Sequence, residues 1–230
     1  MTAVLTARER ARRELTAEIL GEARRQLAEV GAAGLSVRAV ARELGMASSA
    51  VYRYFATRDE LLTALIVEAY DSCGTAVEGA CAATGERGVR ERFTAGCTAL
   101  RTWAVEHPQE FTLVHGSPVP GYRGDERTTA AGSRTPLALL GVLAAADPGV
   151  LRAREPAPPL AQQAGRVLAA AAGTPAERAS ARVVLAAARA WTALLGLVSS
   201  ELFGQLANTF DPADAFFAEA VEALADDLGL

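Results

Sequence analysis

Apolar residues in this 230-residue chain recur at three- and four-residue spacing, and strand-like alternation never lasts more than a few positions. Such spacing lays apolar side chains along one stripe of a helix, so the chain can bury them only by packing helix on helix. Leu15, Ile19, Ala23, Leu27 and Val30 make one stripe within about residues 6–30. Phe216, Phe217, Ala220, Val221, Leu224 and Leu228 make another near the end. Composition points the same way, with 51 alanines and only 6% aromatic residues. Alanine is the best helix former, and the residues that favour sheets are too few for a large one. The expected fold class is all-α.

Several classes of chain are set aside by the same reading. Half of the residues are hydrophobic and 22% are charged, a balance that can bury a core and does not describe a disordered chain. The uncharged stretch Leu137–Ala146 and the apolar run after Arg182, broken by Arg189, fall short of the roughly 20 residues a membrane span needs. Met1 to Arg13 leads straight into arginines without the apolar stretch of a secretory signal. Cys73 and Cys81 on one helix would stand roughly 12 Å apart, too far to bridge. Cys73, Cys81 and Cys97 read as small buried hydrophobes in a reducing, cytoplasmic setting. No phosphate-cradling glycine loop, nucleophile elbow or His-Glu-x-x-His helix occurs, so no catalytic residue, metal or cofactor is expected.

Charge divides the chain. Residues 1–60 carry 10 arginines against 8 acids, whereas the remainder is acidic and brings the whole to −4. The first helix is stopped by Gly31 and Gly34, and a short one follows with Ser36 as N-cap. After Gly45 a third is expected over about Ser48–Tyr54. Thr57-Arg58-Asp59-Glu60 is a capping box opening a fourth, long helix. A fifth spans about Val89–Glu106 and a short sixth Gln109–His115. The Pro- and Gly-containing stretch Ser117–Thr135 reads as a loop before a helix at Leu137–Ala146. Leu160–Ala172 is helical, and Thr174-Pro175-Ala176-Glu177 is a second capping box launching a helix from Pro175 to about Leu206. Asp211-Pro212 starts the last one.

Helix–Gly–helix within Leu35–Phe55 matches a helix-turn-helix, whose second helix enters the DNA major groove. Val37, Val40, Ala41, Leu44, Met46, Val51 and Phe55 would turn inward, and Arg38, Arg53 and Arg58 would carry charge outward with no carboxylate beside them. The run Leu35-Ser36-Val37-Arg38-Ala39-Val40-Ala41-Arg42-Glu43-Leu44-Gly45-Met46-Ala47-Ser48-Ser49-Ala50-Val51-Tyr52-Arg53-Tyr54-Phe55, with Arg58, Leu61 and Leu62, resembles the DNA-binding domain of the tetracycline-repressor (TetR) family. Trp191-x4-Gly196-x2-Ser199-x-Glu201-Leu202-Phe203-Gly204 resembles a subgroup with a C-terminal Trp-His-Gly signature, but Leu195 stands where that signature has His.

The resemblance implies a helix-turn-helix DNA-binding domain over 1–56 and a larger helical ligand-binding and dimerisation domain over 57–230. It implies DNA contacts at Ser36 and Arg38, base reading at Ala47, Ser48 and Ser49, and phosphate contacts at Tyr52, Tyr54 and Arg58, with Arg53 beside them. An effector pocket is expected around Trp103, Phe111 and His115, with Trp191 and Leu195, for a small, largely apolar molecule. Ala186, Ala190, Ala193 and Ser200 form a small-residue stripe which, with Phe217, Val221 and Leu224, is expected to meet a second copy across a two-fold axis. The expected function is a ligand-responsive repressor that binds a palindromic double-stranded operator as a homodimer. The alternative is a helical small-molecule-binding or interaction protein without an operator.

Overall fold

The computed structural model describes residues 6–83, 88–147 and 149–230. They form ten α-helices, with no strand among the described residues. The chain divides into two compact units, one of Met1–Ala69 with Gln109–Thr129 and the other of Tyr70–Pro108 with Ala130–Leu230.

The first unit begins with α1 (Ala7–Gly34). Its N-terminus is closed by a capping box in which the Glu9 amide donates to Thr6 Oγ1 at 3.2 Å and the Thr6 amide donates to Glu9 Oε2 at 2.8 Å. Ile19, Leu20, Ala23, Gln26 and Leu27 are buried, whereas Val30, expected on the same stripe, is 57% exposed. Val30 is the last residue before α1 is interrupted at Gly31, at φ 69°, ψ 173°. α2 (Val37–Glu43) follows, with Ser36 Oγ accepting from the Ala39 amide. α3 is shorter than expected, Ser48–Val51, and the chain reaches Phe55 through tight turns. α4 (Arg58–Ala83) contributes residues to both units. Thr57 Oγ1 caps it by accepting from the Glu60 amide, while Glu60 reaches one residue further back than expected, to the Ala56 amide. α6 (Pro108–His115) buries Phe111 completely.

α5 (Val89–Glu106), α8 (Pro158–Ala170), α9 (Ala181–Leu202) and α10 (Asp214–Leu228) build the second unit with parts of α4 and of α7 (Glu126–Ala144). Phe93, Cys97, Leu100, Leu194 and Val198 lie in its core. The Arg101 guanidinium on α5 makes paired bonds to Glu201 on α9, at 2.7 and 2.6 Å, and a third at 3.1 Å to Asp214 on α10. Arg90 binds Glu222 and Asp226 in the same way. Cys73, Cys81 and Cys97 are buried, and burial pushes the Cys73 thiol up to about 11.

Other helix boundaries also depart from expectation: α10 starts at Asp214, not at Asp211-Pro212. Ser117–Thr135 is not all loop, because α7 runs from Glu126 to Ala144 with Pro136 inside it. Asp125 starts it: its carboxylate accepts from the amides of Arg127 at 2.9 Å and Thr128 at 3.3 Å. Nor does one helix run from Pro175 to Leu206. Pro175–Arg178 is a separate 3-10 turn, Ala179 is extended, and α9 starts afresh at Ala181. α9 is long and apolar enough by composition to cross a membrane, yet one face of it, including Val183, Ala187, Leu194 and Val198, is buried in its own unit.

Candidate nucleic-acid interface

The outward surface of α2 and α3 is set by what the module buries. Val37, Val40, Ala41, Val51 and Phe55 are buried, and Leu44 and Met46 are half-buried. Between the helices the backbone turns at Gly45, whose φ of 64° is a left-handed conformation that a side chain would strain. The Met46 amide then donates to the Ala41 carbonyl at 2.8 Å, fixing the angle at which α3 leaves. Gln26, unnoticed in the sequence, is a buried polar residue whose Oε1 accepts from the Ser36 amide at 3.4 Å.

What remains outside is polar and basic. Arg38, Ala47, Ser49, Tyr52 and Arg53 are exposed, and Ser36, Ser48, Tyr54 and Arg58 are half-buried. Among the described residues no carboxylate pairs with Arg38 or Arg53. The expectation for Arg58 is corrected: its Nη1 stands 3.6 Å from Asp59 Oδ1, and the rest of its guanidinium faces backbone carbonyls at the end of α1. Arg12 of α1 lies with its guanidinium carbon 5.4 Å from the centre of the Tyr54 ring, so a cation from the first helix joins the surface beside α3. Sequence spacing could not reveal that pairing, since it depends on how α1 crosses the motif.

The expected effector residues belong to both compact units: Trp103, Trp191 and Leu195 to the second, Phe111 and His115 to the first. Trp103 is buried and donates its indole hydrogen to Ser72 Oγ at 3.0 Å. Trp191 and Leu195 are half-buried. Phe111 is fully buried with the His115 ring 5.0 Å away, and burial lowers the His115 pKa to about 4. Its imidazole is therefore neutral at pH 7. Within the first unit, a cleft of about 340 Å³ lies between the end of α1 and α6, lined by Leu27, Val30, Thr112, Leu113 and Pro118.

The expected contact stripe is partly corrected. Ala186 and Ala190 are only 1% and 3% exposed, because they share the buried side of α9 with Ala187 and Leu194. Phe217 and Val221 are likewise buried within the chain. Ala193 is exposed, and Ser200 and Leu224 are half-buried. These three line an open groove of about 490 Å³ along α9 and α10, joined by Leu197, Phe216 and Ala220.

Comparison with known proteins agrees with this geometry. Residues 19–65 match the profile of bacterial regulatory proteins of the tetR family, and residues 93–224 match the tetracyclin repressor-like C-terminal domain. HTH-type transcriptional regulators of Mycobacterium tuberculosis and Mycobacterium bovis are 38% identical over 214 residues, 91% of this chain and 90% of theirs. The crystal structure of a regulatory protein, SCO4313, superposes with a TM-score of 0.76 at 31% identity, covering 96% of this chain and all of that one. A structure from Rhodococcus sp. RHA1 shares the fold, with a TM-score of 0.70 at 22% identity over 94% of this chain and 96% of its own. With both profiles matched in order and a helix-turn-helix surface exposed, the chain belongs to the TetR family of transcriptional regulators.

Proposed function

We propose that the chain is a cytoplasmic, ligand-responsive repressor that binds a palindromic DNA operator as a homodimer and is released from it by a small, largely apolar effector. Residues 1–56 read the DNA and residues 57–230 bind the effector and form the dimer. Its function is binding and release, not turnover. The observation that carries the reading is the surface of α2 and α3, where Arg38, Ser49, Tyr52 and Arg53 are exposed while the apolar side of the same short helices is buried. Arg38 and Arg53 supply charge for phosphates, Tyr52 and Tyr54 supply phenolic donors, and Ala47, Ser48 and Ser49 stand where the second motif helix meets base edges.

An effector acts by binding one arrangement of the dimer more tightly than another, so that the recognition helices lose the spacing the operator requires. For that effector Trp103, Trp191 and Leu195 are the candidates in the second unit, and Phe111 and His115 are separate candidates in the first. Their apolar and neutral character, with His115 uncharged, supports an uncharged ligand.

A band shift with the DNA upstream of the chain's own gene tests the reading. Wild-type protein is expected to retard it, and Tyr52→Phe to weaken binding to every sequence by about 1 kcal/mol per lost hydrogen bond. Substitution of Ser49 is expected instead to change which sequence is preferred, because its position contacts bases. No retardation at low salt, or an unchanged preference in Ser49 variants, would sink the assignment and favour a helical binding protein without an operator.

A further inference from the structure

Arg58 is the first residue of α4, and its side chain is engaged along almost its whole fork. Nη2 donates to the Ala32 carbonyl at 2.6 Å and to the Ala33 carbonyl at 3.4 Å, and Nε donates to the Leu35 carbonyl at 3.1 Å. These carbonyls follow Gly31, where α1 breaks, so they lack the fourth-residue amides of a continuing helix, and Ala32 accepts a long bond from the Leu35 amide at 3.4 Å besides that from Arg58. A cation at the C-terminal end of a helix is also favoured by the helix dipole. The segment it grips leads into α2: Leu35 is followed by Ser36, whose hydroxyl caps α2 and whose amide is held by Gln26. α2 in turn fixes α3 through the Met46–Ala41 hydrogen bond and the buried Val40 and Val51.

We infer that Arg58 is a positioning residue for DNA reading, not a phosphate contact: it ties the first residue of α4 to the Ala32–Leu35 segment, so that α2 and α3 follow α4. This rests on the chain's being a DNA-binding regulator, and it gives α4 a direct hold on the recognition helix. The planar fork is suited to the task. Its donors reach carbonyls that lie in different directions, whereas a lysine offers a single point charge that serves a phosphate almost as well but cannot hold that set of carbonyls.

The test compares Arg58→Ala, Arg58→Lys and Arg38→Ala on the duplex described above, across a range of salt concentrations. In parallel, hydrogen exchange of the Ser36–Val40 amides is followed in the protein without DNA. Arg58→Ala is expected to lower affinity about tenfold or more on every sequence while keeping the wild-type slope of log affinity against log salt. Arg38→Ala is expected to reduce that slope by about 0.9 per subunit, the loss of one neutralised phosphate. Arg58→Lys should recover little of the affinity, and both Arg58 variants should exchange the α2 amides at least severalfold faster.

A slope lowered by Arg58→Ala and restored by Arg58→Lys would overturn the inference and return Arg58 to the phosphates. So would unchanged amide exchange in a folded Arg58→Lys protein. If the wild type bound no DNA, the regulator reading would fail, and the exchange data would still decide whether Arg58 holds α2.

Discussion

His115 sits half-buried on α6 beside the Phe111 ring, and desolvation lowers its pKa from 6.5 to about 4. The unfolded chain therefore takes up a proton near pH 6.5, while the folded protein resists until about pH 4. Stability rises with pH across that window and falls as the pH drops through it. Urea titrations of wild type and His115→Gln should run parallel above pH 7. Below it the wild type should lose stability relative to the variant, by up to about 3 kcal/mol near pH 4. A constant difference across the range would mean that the imidazole is solvated. The sequence made His115 visible as a polar residue at a helix end, but the burial that keeps it neutral depends on packing around α6. Ser36, Ser49, Tyr52 and Arg53 could be read directly, because a short helix with a buried Val and Phe leaves its other positions outside. Gln26, Arg12 and the carbonyl grip of Arg58 could not be read, because each depends on residues ten or more positions away.

At the scale of whole helices, periodicity identified what packs and local signals identified where helices start, with differing success. α5 was legible to the residue, since Pro108 ends its run and an apolar stripe fills it. α7 was not, because Gly132 and Pro136 look like breakers. Gly132 is there for closeness, since a Cβ would stand 3.1 Å from the Tyr70 ring. The signal that outweighs them is Asp125, whose carboxylate caps the helix and whose carbonyl accepts from the Thr129 amide at 3.0 Å. Asp125→Ala should destabilise the protein, with Asp125→Asn or Asp125→Ser recovering most of the loss. Thermal unfolding of the three variants measures this, and an Asp125→Ala midpoint equal to wild type would mean that α7 starts elsewhere. The second capping box misled in the opposite direction. Thr174 does cap a turn, accepting from the Ala176 amide at 3.2 Å. Glu177 returns to the Gly173 amide, however, and the turn closes on itself before the extended Ala179.

Assembly follows from which side of α9 the chain covers by itself. In sequence Ala186, Ala190, Ala193 and Ser200 read as one small-residue stripe open to a second copy, but the fold buries Ala186 and Ala190 and leaves Ala193, Leu197 and Ser200 along the open groove with α10. An uncovered apolar groove formed by two adjacent helices suits a second copy of the same two helices, and a two-fold axis through it gives the symmetry of a palindromic site. The two alanines thus become a matched pair of probes three residues apart. Ala190→Glu would put a carboxylate into a core with no partner, so it should cost about 3 kcal/mol or more and lower the helical signal. Ala193→Glu faces the groove, so the protomer should keep its fold and thermal stability apart from what dimerisation adds. In sedimentation at micromolar concentration the wild type should run as a dimer and Ala193→Glu as a monomer. The monomer should bind a two-half-site duplex far more weakly than the dimer, while its weak binding to a single half-site stays near wild type. If Ala193→Glu remains a dimer with full operator affinity, the groove is not the interface and the two-fold arrangement built on it is wrong.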